Sequence, residues 1–273
     1  MTEAILEALN SHDAEAIGFV AGSSVMVTGQ IDDRLALLGR WIDGGMTLGN
    51  QSYAHESLNE MSLAEYQIDL LQAELLIRHV QRPRGHRLRY FRAPYNHIGP
   101  TTALKQGLRL FLRTRRQRLA PFTIELRDTA FNAVYVEAMA SGDTALAEKV
   151  RSAYLDHLDV AFEFFEGLSE RMFDRQIAQV FQIHANPLNA ETLDEMLTKL
   201  EARGYGFVNL AAALTDEAYE MPDHFAGPVG MSWFHRWSFS RGYGTRKTDE
   251  GLTLPETLYE EPALPAFILD RKH

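Results

Sequence analysis

Residues 48–59 read LGNQSYAHESLN. The apolar run "MTLGN" (Met46 to Asn50) breaks there into Gln, Ser, Tyr and His, and a helix follows it. Ser62 and Glu65 have the spacing of a capping box, in which each side chain satisfies the other residue's backbone N–H. A buried strand, a polar corner and a helix make the unit from which parallel sheets are built. The unit recurs in both directions. Upstream, Ile5, Leu6 and Leu9 fall at helical spacing, "AIGFVAG" (Ala16 to Gly22) reads as a short buried strand, and Asp32 to Asp43 as a helix stopped by Gly44-Gly45. Downstream, "RLRYF" (Arg87 to Phe91), "PFTIEL" (Pro121 to Leu126), "AQVFQI" (Ala178 to Ile183) and "YGFVNL" (Tyr205 to Leu210) read as strands. Helices are expected over Thr101 to Arg118, about Ala130 to Ala140, Thr144 to about Phe173, and Ala190 to Arg203.

Strands alternating with helices predict an α/β fold with a parallel sheet, doubly wound or closed into a barrel. After about Tyr219 the texture changes to Pro, Gly and aromatics ("MPDHFAGPVGMSWFHRWSFSRGYG", Met221 to Gly244) with no helical or strand period. The organisation expected is one domain over residues 1–219 and an extension over 220–273 that wraps it.

The formal net charge of −10 repels phosphate backbones, so nucleic acid is not an expected partner. No apolar run approaches the roughly 18–20 residues of a membrane span, and no membrane partner is expected. Cysteine is absent, which removes thiolate nucleophiles and thiolate metal sites. The start "MTEAILEALNSHDAEA" has no basic or apolar leader region, so the chain as written reads as cytoplasmic, and as periplasmic or secreted if its start is displaced.

Functional groups of parallel α/β folds collect at the carboxyl ends of strands. Three such ends are well equipped: Gln51 and His55 after "MTLGN", Arg92, Pro94 and Tyr95 after "RLRYF", and His184 with Asn186 after "AQVFQI". A fourth carries Glu125 and Asp128. Two imidazoles, a guanidinium and a carboxylate at one mouth suit metal binding and general acid chemistry. The same groups also suit a buried hydrogen-bonded network with a purely structural role. His86, His97, His157 and His224 show no ligand spacing and read as surface residues.

In order, "GNQSYAHESLNEMS", "YFRAPYN", "FTIELRDTAF" and "QIHANPLNAETLDEMLTKLEARGYGFVNLAAAL" resemble the polysaccharide deacetylase family, carbohydrate esterases with a NodB-like domain. The resemblance covers nearly the whole chain. It implies a distorted (β/α) barrel, a divalent metal such as zinc held by one Asp and two His, and removal of acetyl groups from N- or O-acetylated sugars, acting on carbon–nitrogen bonds in the amide case. An acetylated glycan or oligosaccharide is the implied partner; the oligomeric state is open. The family's first motif, a strand ending in Asp-Asp, does not precede "AIGFVAG", so the barrel is expected to lack its first strand. Asp32-Asp33 opens a helix and reads as a favourable N-terminal charge pair instead. In the second motif Gln51 stands where an imidazole is expected and His55 is kept. An amide oxygen is a weaker zinc donor than imidazole. By resemblance Arg92 orients a base carboxylate, the Tyr95 N–H helps hold an oxyanion, and His184, supported by Asp128, protonates the leaving amine. Gln182 replaces an expected Leu. Asn186 and Trp233 are the expected sugar contacts. The reading that follows is a deacetylase-type hydrolase using metal-activated water. The alternative is an inactive member that binds glycan without cleaving it. A sheet lacking a strand is also expected to expose backbone groups and apolar side chains at the gap.

Overall fold

The computed structural model describes residues 1–269. Helix α1 (Thr2–Ser11) buries Ile5, Leu6, Ala8 and Leu9, the stripe read from spacing, and leads to β1 (Ile17–Val20). Helix α2 (Ile31–Asp43) returns to β2 (Thr47–Asn50). Helix α3 (Leu63–Gln81) starts at the predicted capping box: the Glu65 N–H donates to Ser62 Oγ at 3.3 Å and the Ser62 N–H to Glu65 Oε2 at 3.0 Å. Strand β3 (Tyr90–Phe91), helix α4 (Thr102–Thr114) and strand β4 (Arg118–Leu119) complete a parallel sheet in the order β1-β2-β3-β4. Its register pairs Ile17 with Thr47 and Val20 with Asn50, then Asn50 with Phe91 and Phe91 with Leu119. The polar ends after β1, β2 and β3 therefore stand side by side.

The second half has longer helices and shorter strands. Strand β5 (Ile124–Glu125) precedes helix α5 (Asp128–Ser141) and the 30-residue helix α6 (Thr144–Phe173). Strand β6 (Phe181–Gln182) pairs parallel with β5 and leads to helix α7 (Pro187–Ala202), capped by Asn186, whose side chain accepts the Asn189 N–H at 2.8 Å. The α/β class and parallel strands are as expected. Among the described residues the ladder does not close into a barrel, because β1 and β6 are both sheet ends.

Every expected strand that forms is shorter than its sequence pattern, and one does not form. Among the described residues "AQVFQI" is paired only at Phe181–Gln182, and "YGFVNL" runs in no ladder before the short helix α8 (Leu210–Ala213). The cause is geometric: a strand needs a neighbour about 4.8 Å away, and beside these segments lies a groove of about 490 Å³ lined by Ile17, Phe19, Ala178 to Ile183 and Tyr205 to Val208.

The tail corrects the expectation of no periodic structure. Helix α9 (Trp233–Arg241) and the hairpin of β7 (Thr245–Lys247) with β8 (Thr253–Pro255) form there, followed by helix α10 (Ala266–Leu269). Phe234 and Trp237 of α9 are fully buried in the same cluster as Phe122, Phe131 and Phe165. Full burial of such side chains contributes roughly 1.5–3 kcal/mol each. A buried ion cluster ties the tail to α4: Asp223 Oδ2 accepts from Arg109 and Arg236, each at 2.9 Å, while Lys105 Nζ donates to the Asp223 and Phe225 carbonyls.

Candidate active site

The mouth lies at the carboxyl ends of β2, β3, β5 and β6. After β2 the chain turns sharply, with Ser52 at φ 65° and His55 at φ 59°. Residues other than glycine rarely adopt that left-handed conformation, so something must hold it. Asp69, buried on α3, does so: its carboxylate accepts the N–H groups of Tyr53 at 3.0 Å and Ala54 at 2.9 Å. Asn50, also buried, accepts the Ser52 N–H at 2.8 Å, and Ser52 Oγ accepts the His55 N–H at 3.1 Å. His55 is pushed below its ordinary pKa, first by burial and then by the charge of His184. Gln51 sits in the same turn, its N–H donating to the Val20 carbonyl at 3.0 Å.

Arg92 follows β3 and is buried. One terminal nitrogen donates to the Gln182 side-chain oxygen and the other to the Pro121 carbonyl at 3.1 Å, with the guanidinium 4.9 Å from the Phe19 ring centre. Burial pushes its pKa down to about 10, partly offset by the Glu125 carboxylate. Gln182, which stands where the resemblance expects a Leu, bridges this cation to Glu125, its amide lying 3.5 Å from Glu125 Oε2. Glu125 is pushed up to about 7, first by burial and then by the Glu261 and Asp128 carboxylates, with His184 and Arg92 pulling the other way. Glu261 comes from the tail, where its Oε1 lies 2.5 Å from Nε2 of the buried His235.

Asp128 opens α5 and is buried. One oxygen sits 2.8 Å from His184 Nδ1; the other accepts the His184 N–H at 2.8 Å and the side-chain amides of Asn186 and Asn189. His184 is raised above its ordinary pKa, first by the hydrogen bond to Asp128, with burial opposing. The pair leaves Nε2 of a readily protonated imidazole as its free end, the arrangement of a general acid.

The structure thus gathers Arg92 and Asp128 within electrostatic reach of both Glu125 and His184, and brings His55 within reach of His184. Tyr95 joins them at φ 54°, its ring exposed and 5.0 Å from that of His55. Two expected sugar contacts are corrected. Trp233 is packed against Phe122 in the core, its ring centre 6.3 Å away, because α9 turns that face inward; Asn186 is buried on Asp128. Two histidines expected at the surface are also corrected: His157 is buried against Phe131, and His97 is half-buried with its Nδ1 2.8 Å from Ser57 Oγ. Asp69, Glu261 and the Ser57–His97 pair were missed. Asp69 had a signal, an acid at i+3 from Tyr66 and i−1 from Leu70 on the stripe α3 buries; the reach of Glu261 from the tail had none.

The donor set does not fit the implied zinc. In the turn after β2 His55 offers an imidazole and Gln51 a neutral amide, and among the described residues no group of three or more His, Asp or Glu side chains is placed to hold a metal. A zinc site ordinarily takes three protein ligands of imidazole or carboxylate type.

Parallel strands whose carboxyl ends gather an arginine-proline-tyrosine loop, a histidine–aspartate pair and a histidine corner define an α/β protein with the architecture of the carbohydrate esterases of family 4. The polysaccharide deacetylase family model matches residues 1–110, so the family resemblance read from the motifs is borne out there. No curated protein matches the chain. Among solved structures, a CE4 family pseudoenzyme from Bacillus anthracis superposes with TM-score 0.54 at 19% identity, over 78% of this chain and 60% of its own. A mutant of that pseudoenzyme with restored enzymatic activity gives 0.54 at 20% identity, over 78% and 62%. The Xyl-CE4 domain of a multidomain xylanase from the hindgut metagenome of Trinervitermes trinervoides gives 0.52 at 16%, over 84% and 87%. The chain spans about 60% of the length of the first of these. At such identities the likeness establishes the fold.

Proposed function

We propose that this chain is a deacetylase-like domain that binds acetylated glycan at the mouth between β2, β3 and β6 without hydrolysing it. One observation carries the reading: the Asp128–His184 pair is built and oriented, while the side facing it offers one imidazole and one amide where amide hydrolysis by activated water needs a full ligand set. What the chain's own residues do follows from their places. The exposed Tyr95 ring, flanked by His55 and by His97 with ring centres 5.7 Å apart, offers a platform for a sugar face in place of the buried Trp233. His184 donates a hydrogen bond to an acetamide carbonyl or a hydroxyl, and Asp128 keeps the imidazole oriented for it.

The raised pKa of His184 favours a second reading, hydrolysis with His184 as proton donor to the leaving amine. One experiment separates the two. Purified protein dialysed against zinc is assayed for bound metal, for acetate release from a chitooligosaccharide, and for binding of that oligosaccharide by calorimetry. Binding with substoichiometric zinc and no acetate is the expected result. Acetate release with one zinc per chain would overturn it in favour of hydrolysis, and absence of binding would end both.

A further inference from the structure

We propose that the arginine-rich rim at the amino ends of β3 and β4, together with the outer faces of α3 and α4 beside it, is a contact surface for an anionic lipid bilayer. Residues 75–124 carry twelve arginine and lysine residues and no Asp or Glu, in a chain whose net charge is −10. The fold gathers half of these cations at one end of the molecule. Helices α3 and α4 end where the chain enters β3 and β4, so Arg82 and Arg113 come from the helix ends, and Arg87, Arg89, Arg116 and Arg118 from the approaches and first positions of the strands. The ladder sets the two groups side by side: Arg118 lies opposite Tyr90, and its N–H donates to the Arg89 carbonyl at 2.8 Å. All six side chains are exposed. The acids that reach this end are engaged by other arginines, the buried Glu74 by Arg78 and Arg115 and Asp43 by Arg84. Cations in the last turn of a helix are favoured by its dipole, which accounts for Arg82 and Arg113 but not for the four at the strands. Like charges crowded on one rim repel one another, and an anionic partner relieves that repulsion.

Apolar exposure beside the rim selects the kind of partner. Leu75 on α3 and Leu110 on α4 are 73% and 63% exposed, the two most exposed large apolar side chains among the described residues. Residues three, four or seven positions apart share a helix face: Leu75 stands four before the exposed His79 and seven before Arg82, and Leu110 three before Arg113. Ile68, also exposed, carries the α3 stripe back another seven positions. The two helices are fixed against each other, because Gly107 of α4 packs so closely on Leu63 of α3 that a Cβ there would collide with it, and Glu74 of α3 holds Arg115 past the end of α4. Both leucines therefore flank the same rim. A soluble polyanion needs only the arginines. A bilayer uses both parts, its anionic headgroups meeting the cations and its acyl boundary the aliphatic side chains one or two helical turns away. No helix among the described residues is long and apolar enough to cross a membrane, and lying on one asks only for this smaller surface. The mouth, at the carboxyl ends of the strands, then faces away from the lipid, so the proposal is independent of what the mouth binds.

The test mixes the full chain with vesicles of phosphatidylglycerol and phosphatidylcholine in equal parts, and with vesicles of phosphatidylcholine alone, and reads partition by sedimentation. Binding to the anionic vesicles should be at least about tenfold tighter than to the neutral ones and should weaken with added salt. Arg89→Gln with Arg118→Gln, both at exposed positions, should weaken it at least about tenfold. Leu75→Ala with Leu110→Ala, at exposed helical sites where alanine is the best helix former, should weaken vesicle binding at least about fivefold while leaving the binding of inorganic polyphosphate unchanged. Equal partition to both kinds of vesicle, or none to either, overturns the proposal. Anionic-vesicle binding that the arginine variant leaves unmoved places the contact elsewhere and overturns it too. Binding of polyphosphate or of a DNA duplex by the unaltered chain, with vesicle affinity indifferent to the leucine variant, overturns it in favour of a soluble polyanion.

Discussion

At the β6 side of the mouth one buried carboxylate, Asp128, engages a ring nitrogen, a backbone N–H and two side-chain amides, so the imidazole of His184 is held at two points. At the β2 side another buried carboxylate, Asp69, engages only backbone, the N–H groups of Tyr53 and Ala54, and His55 is positioned through the turn rather than through its ring. Both corners are well ordered by hydrogen bonds, yet only the first orders a functional group's chemistry. The difference teaches that this fold keeps the shape of a site independently of its ligand set: the turn carrying Gln51 and His55 is maintained by residues that would hold it equally with imidazole or amide at position 51.

Removing the first carboxylate tests that contrast most severely. Asp128→Ala leaves three buried amide or backbone donors and an imidazole without their acceptor, and should destabilise the fold by about 3–5 kcal/mol in chemical denaturation. In the gentler Asp128→Asn the His184 pKa, followed by NMR, should fall from its raised value. An unchanged His184 titration would show that Asp128 orients nothing.

The acid side also makes stability depend on pH. Glu125 is held at about 7 in the folded chain against an ordinary 4.5, so it binds its proton more tightly when folded. That contribution is present in full below about pH 4.5 and is lost as pH rises through 7, an effect of about 3 kcal/mol at most. His184, also raised, adds in the same direction: its contribution is present below the ordinary histidine range and lost as pH climbs through its folded value. The denaturation midpoint should therefore fall between about pH 5 and pH 8, and Glu125→Gln should flatten most of that slope. A slope unchanged in the variant would place its origin in the net charge of −10 rather than in this site.

On the β2 side the effect should be smaller and local. Asp69→Ala should cost about 1–3 kcal/mol and speed hydrogen exchange at Tyr53 and Ala54, while leaving the His184 titration as it was. Coupled loss at both sides would deny the independence argued above.

Much of this was legible in the sequence because it rests on local physics. The helices follow from 3.6-residue periodicity and caps, and Ser62 with Glu65 placed the start of α3 to the residue. Most strand positions were legible but strand lengths were not: β4 (Arg118–Leu119) lies where the end of a helix was expected, and "YGFVNL" has the right residues but, among the described residues, no neighbour to pair with. The motif residues of the mouth could be named in order. Their partners could not: Gln182 bridges to Arg92 and Glu261 reaches Glu125 across about 90 and 136 positions of chain, and only the folded backbone brings them together. The tail misled for a related reason. Helix α9 is buried on nearly all sides, with the polar His235, Arg236 and Ser238 covered along with Trp233, Phe234 and Trp237, so no apolar period announces it.

The smallest predicted effect bears on the one acidic pair that tempts a metal reading. Asp32 and Asp33 lie exposed in the first turn of α2, where their charges complement the positive end of the helix dipole. The Ile31 start of that helix is a full helix and strand away from the Gln51 and His55 corner in sequence, and neither acid is within the electrostatic reach that links His55 to His184. Asp32→Asn with Asp33→Asn should therefore lower stability by no more than about 1 kcal/mol, with zinc content and oligosaccharide binding unchanged. If the double variant instead loses bound metal or glycan, the two sides of the mouth share a third element, and the comparison between a complete acid side and an incomplete metal side must be redrawn around α2.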